Sequence, residues 1–212
     1  SFPIETIYRK DKIEGRIEPA VTRAVIEALT RHSGDVLVFL PGEAEIRRVQ
    51  TTLQEAGPGP GVRGTPLYGN LPSSAQDLAL LPCPAGERKV VLATAIAETS
   101  LTVEGVQVVI DSGLMRAPRF SPRTGMTRLE TLAVSRAAAD QRRGRAGRLG
   151  PGVCYRLWTK EEDARLEPSS KPEILEADLA PLALELAAWG SAEPEALRWL
   201  DAPPAGAFSQ AR

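Results

Sequence analysis

The sequence predicts an α/β fold around a mostly parallel sheet. Two observations carry this. Val36-Leu37-Val38-Phe39-Leu40, Val90-Val91-Leu92-Ala93 and Val106-Gln107-Val108-Val109-Ile110 are short, almost wholly apolar runs. That texture marks strands covered on both faces. Between the runs lie stretches with apolar residues at helical spacing, so strand and helix alternate along the chain. The length of 212 residues suffices for one full domain and a small second one.

The elements follow in order. Ile4–Tyr8 alternates like a half-buried strand. Pro19 suits a first helical turn, and Val21, Val25 and Leu29 then recur at helical spacing until Ser33-Gly34-Asp35. After Val36–Leu40, Pro41-Gly42 turns the chain into a helix over Glu43–Glu55 with Ile46, Val49 and Leu53 inward. Gly57–Gly61 is a loop of glycine and proline. A brief strand is expected near Thr65–Tyr68, then a helix from Ser73 to about Leu81, with Ser73 and Gln76 spaced as a capping box. Pro82-Cys83-Pro84 ends it, and the strands Val90–Ala93 and Val106–Ile110 follow. Ala133–Arg145 reads as a helix rich in Ala and Arg, and Val153–Trp158 as a last strand. Glu167–Pro172 has the composition of a linker. Beyond it, Ile174, Leu175, Leu179, Leu182, Leu184, Leu186 and Trp189 suggest helix, and Pro203-Pro204 marks a loop. No internal repeat is evident.

Composition excludes several classes of function. Two cysteines, Cys83 and Cys154, build no disulfide scaffold, and their spacing fits no zinc pattern. The lone His32 rules out a two-histidine metal site and argues against a Ser-His-Asp triad; it reads as a solvated residue after a helix. No metal ligands are expected. No apolar run approaches the roughly 20 residues of a membrane span, and no basic-apolar leader is visible, so a reducing cytoplasm is the expected compartment. Numbering from Ser1 rather than Met suggests a fragment.

The net charge of −1 hides an asymmetry. Residues 1–115 carry −3 and residues 149–212 carry −5, while residues 116–148 carry nine Arg, no Lys and two acids. Arginine in that concentration suits bidentate phosphate recognition, although a solvated face paired to acidic neighbours has the same composition.

Three segments carry chemistry. In Gln141-Arg142-Arg143-Gly144-Arg145-Ala146-Gly147-Arg148, Arg145 and Arg148 share a face on a helical turn, with Gln141 one turn earlier. The glycines permit close approach of the backbone to another surface. Such a set can grip a polyphosphate. In Ala93–Val103, four hydroxyls and one carboxylate follow a buried strand, a setting that can bind phosphate or ribose. In Phe39–Ile46, Gly42 opens a helix whose first N–H groups form an anion site.

Together these segments resemble motifs IV, V and VI of superfamily 2 helicases, most closely the DEAH-box/RHA branch. The string from Ala93 to Val103, ATAIAETSLTV, resembles that branch's motif V, and QRRGRAGR its motif VI. Val109–Gly113, Arg119–Gly125 and the stretch from Pro172 to Pro204 resemble the bacterial HrpB-type subgroup. The resemblance implies a second RecA-like motor domain over residues 1–167 and the start of a winged-helix domain over 168–212. It implies that Gln141, Arg145 and Arg148 act on the γ-phosphate of ATP. It puts Ser100, Thr102 and Glu104 on the nucleotide side, and Gly42 and Thr94 on the nucleic-acid backbone. The family often has Asn at Ala95 and Asp at Glu104. Relatives in the eukaryotic branch stack an aromatic on adenine near Leu80, so the aliphatic residue implies little base selectivity. A β-hairpin is implied between motifs V and VI, with arms Met115–Phe120 and Met126–Leu132. Arg116, Arg119, Arg123 and Arg128 would make it basic, fit to guide or separate strands.

The sequence contains no G-x-x-x-x-G-K-[ST] and no Asp-Glu-x-His string. ATP and Mg²⁺ are therefore expected to be held mainly by an N-terminal RecA-like domain outside this chain. The expected partners are that domain and single-stranded RNA or DNA, with no membrane. The chain alone is expected to be inactive. Two alternatives stay open from the residues: a non-catalytic nucleic-acid-binding module with an arginine-rich phosphate clamp, and a scaffold domain with no nucleic-acid role.

Overall fold

A computed structural model describes residues 2–99, 103–191 and 193–212. Strand β1 (Ile4–Tyr8) leads into α1 (Glu18–Arg31), which carries Pro19 in its first turn. Then come β2 (Asp35–Phe39), α2 (Glu43–Ala56), β3 (Val62–Leu67), α3 (Ser73–Leu80) and β4 (Arg88–Ala93). The single turn α4 (Ile96–Thr99) precedes β5 (Val106–Asp111). Next are β6 (Leu114–Ser121), β7 (Met126–Ala133), α5 (Arg136–Gly144), a 3₁₀ turn over Arg145–Gly147, and β8 (Gly152–Arg156). The short helices α6 (Lys160–Ala164), α7 (Ala180–Ala188) and α8 (Ala205–Ala211) follow.

Six strands form one parallel sheet in the order β1-β8-β5-β2-β4-β3, and β6 and β7 form a separate two-stranded hairpin. Residues alternate faces along each strand. Val36, Val38, Val90, Leu92, Val108 and Ile110 meet Val21 and Val25 of α1 and Ile46, Val49 and Leu53 of α2. Leu37, Phe39, Val91, Ala93, Val109 and Cys154 meet Ala79 of α3, Ala97 of α4 and Ala146. Both faces are apolar because both are covered by helices, so the strands read as unbroken apolar runs. Leu80 packs half-buried against the second cluster, leaving Leu78 and Leu81 as the exposed apolar residues around the end of α3.

Contacts divide the chain into two units: Ser1–Met115 with Thr131–Ser169, and Arg116–Glu130 with Ser170–Arg212. The second unit has its own small core of Leu179, Ala183, Leu186 and Phe208. Leu184 and Trp189 stay exposed, so the expected apolar helix is buried on one side only.

Several local expectations need correction. Ser73 forms no cap: Pro72 holds the N-cap position, and Gln76 Nε2 donates instead to Leu71 O at 2.9 Å. A true capping box occurs at Thr159 and Glu162. The arginine helix starts at Arg136 rather than Ala133, because Ser135 Oγ accepts from Ala138 N while Ala133 closes β7. His32 is not simply solvated: its Nε2 lies 2.8 Å from Tyr155 Oη, with the rings edge to face.

Candidate functional site

Helix α5 runs back across the sheet, antiparallel to the strands. Its N-terminal approach is fixed at the carboxyl end of β5, where Val134 N donates to Gly113 O. Its first turn donates from Arg136 N to Glu167 O and from Ala137 N to Pro168 O. These bonds satisfy amide groups that a helix start leaves unpaired. Beyond its other end, Gly147 O accepts from Phe2 N at 2.9 Å, just ahead of β1. A Cβ on Gly147 would lie 2.7 Å from Ile4 Cγ1 and 2.8 Å from Phe2 O, so only glycine permits this approach. Gly144 has nothing within 4 Å of such a Cβ. The expectation of close backbone approach therefore holds at Gly147 and fails at Gly144.

The arginines of this segment divide by role. Arg142 is fully buried. Its Nε donates to Glu98 Oε1 at 2.6 Å, and its Nη1 donates to Asp111 Oδ1 at 2.8 Å and to Leu114 O at 3.1 Å. Its guanidinium also lies 5.0 Å from the centre of the Phe39 ring. Burial disfavours its charge, but the Asp111 and Glu98 carboxylates outweigh that and hold its pKa above the ordinary arginine value. Arg143 ties the helix to β1, donating to Thr6 Oγ1 at 2.7 Å and to Ile4 O at 2.9 Å. Arg145 is 6% exposed, and its Nη2 donates to Glu98 O. Burial lowers its pKa, and the like charge of Arg148 lowers it further, while Glu98 opposes both. Gln141 and Arg148 are exposed. A guanidinium whose charge is disfavoured by burial and by a neighbouring cation suits a polyanion, which would relieve the repulsion.

The other predicted residues fall at two ends of the sheet. Gly42 is the buried N-cap of α2, and Thr94 follows β4. Both lie at the carboxyl edge, where Leu40 N donates to Ala93 O and Thr94 N to Leu67 O. The acids of the first turn of α2 are partnered, Glu43 with Arg47 at 2.6 Å and Glu45 with Arg48 at 2.8 Å. The exposed Glu104 lies at the amino edge instead, beside Gly105, whose carbonyl accepts from Asp35 N. Ser100 and Thr102 lie outside the described residues. The 3₁₀ turn of Arg145–Gly147 also reaches the amino edge: a Cβ on Gly152, the first residue of β8, would clash with Ala146 O. The antiparallel course of α5 carries the backbone of Arg145–Gly147 to that edge, while Arg142 stays bonded to Asp111 at the end of β5.

In the hairpin, Arg116 and Arg119 are exposed. Arg119 lies 3.8 Å from Glu130 and 3.4 Å from Glu176, so acids of its own unit balance part of its charge. Sequence reasoning missed Asp111 and Glu98 as the partners of Arg142. The signal for Glu98 was present as the lone carboxylate of the motif V string. Among the described residues, no group of three His, Cys, Asp or Glu side chains is placed to hold a metal ion. No described helix is long and apolar enough to cross a membrane.

Comparison with known proteins decides the family, because residues 20–150 match the helicase conserved C-terminal domain. The chain belongs to that family. It is 50% identical over 204 residues, 96% of its length, to the ATP-dependent RNA helicase HrpB of Escherichia coli (strain K12). It resembles two crystal structures, those of the E. coli DExH-box NTPase HrpB and the Escherichia coli DEAH/RHA helicase HrpB. The TM-scores are 0.92 and 0.94, each at 48% identity and covering the whole chain. This helicase C-terminal domain spans about a quarter of the length of these relatives: 25% of the first, and 26% and 27% of the two solved chains. The expected α/β sheet with helices on both faces and the resemblance to the DEAH-box/RHA branch are borne out.

Proposed function

We propose that this helicase C-terminal domain is the second RecA-like motor domain, residues 1–167, of an ATP-dependent helicase, and that residues 168–212 begin a winged-helix domain. Its substrates are ATP, held mainly by an N-terminal RecA-like domain, and a single nucleic-acid strand. RNA is favoured over DNA because the curated relative is named as an RNA helicase. The single observation carrying the reading is buried Arg145, followed by exposed Arg148, in the turn at the end of a helix locked by Arg142.

In this reading Arg145 and Arg148 stabilise charge on the transferred phosphoryl group, and Gln141 orients the attacking water. An arginine so placed contributes about 10³–10⁵ in rate. Mg²⁺, bound with ATP by the other domain, neutralises phosphate charge. Glu104, Ser100 and Thr102 belong to the nucleotide side, and Gly42 and Thr94 hold the strand's backbone at the carboxyl edge of the sheet. Arg116 and Arg119 give the hairpin its attraction for phosphates. Closure of the two motor domains on ATP and their opening after hydrolysis move Gly42 and Thr94 along the strand.

The test is Arg145→Ala in a protein spanning both motor domains. Nucleic-acid-stimulated ATP turnover falls a hundredfold or more, about 3 kcal/mol, while ATP binding is nearly kept. Unchanged turnover overturns the reading.

A further inference from the structure

We propose that Glu98 is a positioning residue that couples the nucleic-acid edge of the domain to Arg145, an inference that rests on the function proposed above. Glu98 holds two arginines of the same segment with two different groups. Its carboxylate accepts from buried Arg142, and its main-chain carbonyl accepts from Arg145 Nη2. The first bond anchors α4 to the core through Arg142, which is simultaneously fixed to Asp111 at the end of β5. The second ties the Arg145 guanidinium to α4.

Helix α4 is a single turn that starts two residues after Thr94. Its internal bonds are short-range, Ala97 N to Thr94 O and Glu98 N to Ala95 O. One turn of helix has little stability of its own, because nucleation fixes several residues for few hydrogen bonds. Its position is therefore determined by its tertiary anchors. Its apolar anchors are Ala97, in the core beneath it, and half-buried Ile96; its polar anchor is Glu98, whose side chain is only 13% exposed. A strand that displaces Thr94 displaces the turn containing Glu98 O, and with it the hydrogen bond that holds Arg145. The path from Thr94 to Arg145 is thus one helical turn and one hydrogen bond. Loss of the carboxylate charge frees α4 from Arg142 without touching either end of that path.

The experiment uses a protein spanning both motor domains, with Glu98→Gln and Glu98→Asp beside wild type. Turnover of ATP is measured with and without a single-stranded oligouridylate, together with KM for ATP, oligouridylate affinity and the thermal midpoint. Glu98→Gln keeps the side-chain length and removes the charge. The ratio of stimulated to basal kcat falls at least fivefold, with KM for ATP and oligouridylate affinity within twofold of wild type. Glu98→Asp restores the charge and recovers part of the ratio. A wild-type ratio in Glu98→Gln overturns the proposal, as does a kcat loss that merely follows a lowered thermal midpoint. Should Glu98→Gln not fold, Glu98→Asp decides alone: a lowered ratio supports the proposal and a wild-type ratio overturns it. Arg145→Ala, run in parallel, separates the two readings. Normal turnover in Arg145→Ala overturns the function itself, whereas its loss alongside normal Glu98 variants overturns only the coupling.

Discussion

Arg142 shows why four arginines in eight residues are not four equivalent phosphate ligands. It is fully buried, and its charge is matched by Asp111 and Glu98, both on segments far away in sequence. Asp111 is also fully buried and accepts from Gly113 N at the turn after β5. Removing the guanidinium leaves that carboxylate buried and unpaired, a loss of about 3–5 kcal/mol for broken buried pairs. Arg142→Met is therefore expected to lower the denaturation midpoint sharply, as measured by urea unfolding. Arg142→Lys loses less, since it keeps the charge but not the fork that reaches Glu98, Asp111 and Leu114 O together. Arg145 differs because it donates to a carbonyl and its neighbour Arg148 carries the same charge.

The element that places these residues is the helix α5 and the turn after it. Its glycines look alike in sequence and differ in structure. Gly147 faces Phe2 and Ile4 at distances that admit no methyl group, while Gly144 faces open space in a helical conformation. Gly147→Ala is expected to cost about 1–3 kcal/mol through overpacking. Gly144→Ala is expected to leave stability unchanged or raise it by up to about 1 kcal/mol through helix propensity. Thermal unfolding of the two variants beside wild type checks both signs. The hairpin behaves differently as an element. Its strand β7 is mostly exposed, whereas β6 is half-buried at five of its eight positions. Its arms were nonetheless legible, because Pro122 and Gly125 frame a turn between two runs of extended residues. Ser121 O there accepts from Thr124 N and Gly125 N.

At the scale of the whole molecule, the first unit sets its predicted site residues at two edges of the sheet. Gly42 and Thr94 lie at one edge of the sheet, and Glu104 and the turn after α5 reach the other. The 212-residue chain contains no phosphate-binding glycine loop of the G-x-x-x-x-G-K-[ST] type. By itself it is expected to turn over no ATP and to bind single-stranded RNA weakly, as read by phosphate release and by titration at several salt concentrations. Tight binding by the chain alone, with a steep salt dependence, would favour the phosphate-clamp alternative.

The sequence by itself determined the strand-helix alternation, the cores of most elements and the identity of motifs V and VI. Those signals are local: apolar runs, helical spacing and short strings of residues. It misplaced the helix start at Ala133 and the cap at Ser73, where neighbouring residues compete for the same amide groups. It left Arg142, Arg143, Arg145 and Arg148 as one basic cluster. Only the tertiary structure separated them, because Thr6, Glu98 and Asp111 become their neighbours through chain reversals that no local pattern encodes. The direction of α5 likewise decided that the backbone turn over Arg145–Gly147 reaches the edge opposite Gly42 and Thr94. That direction follows from the parallel topology of β5 and β8, whose connection must return across the sheet.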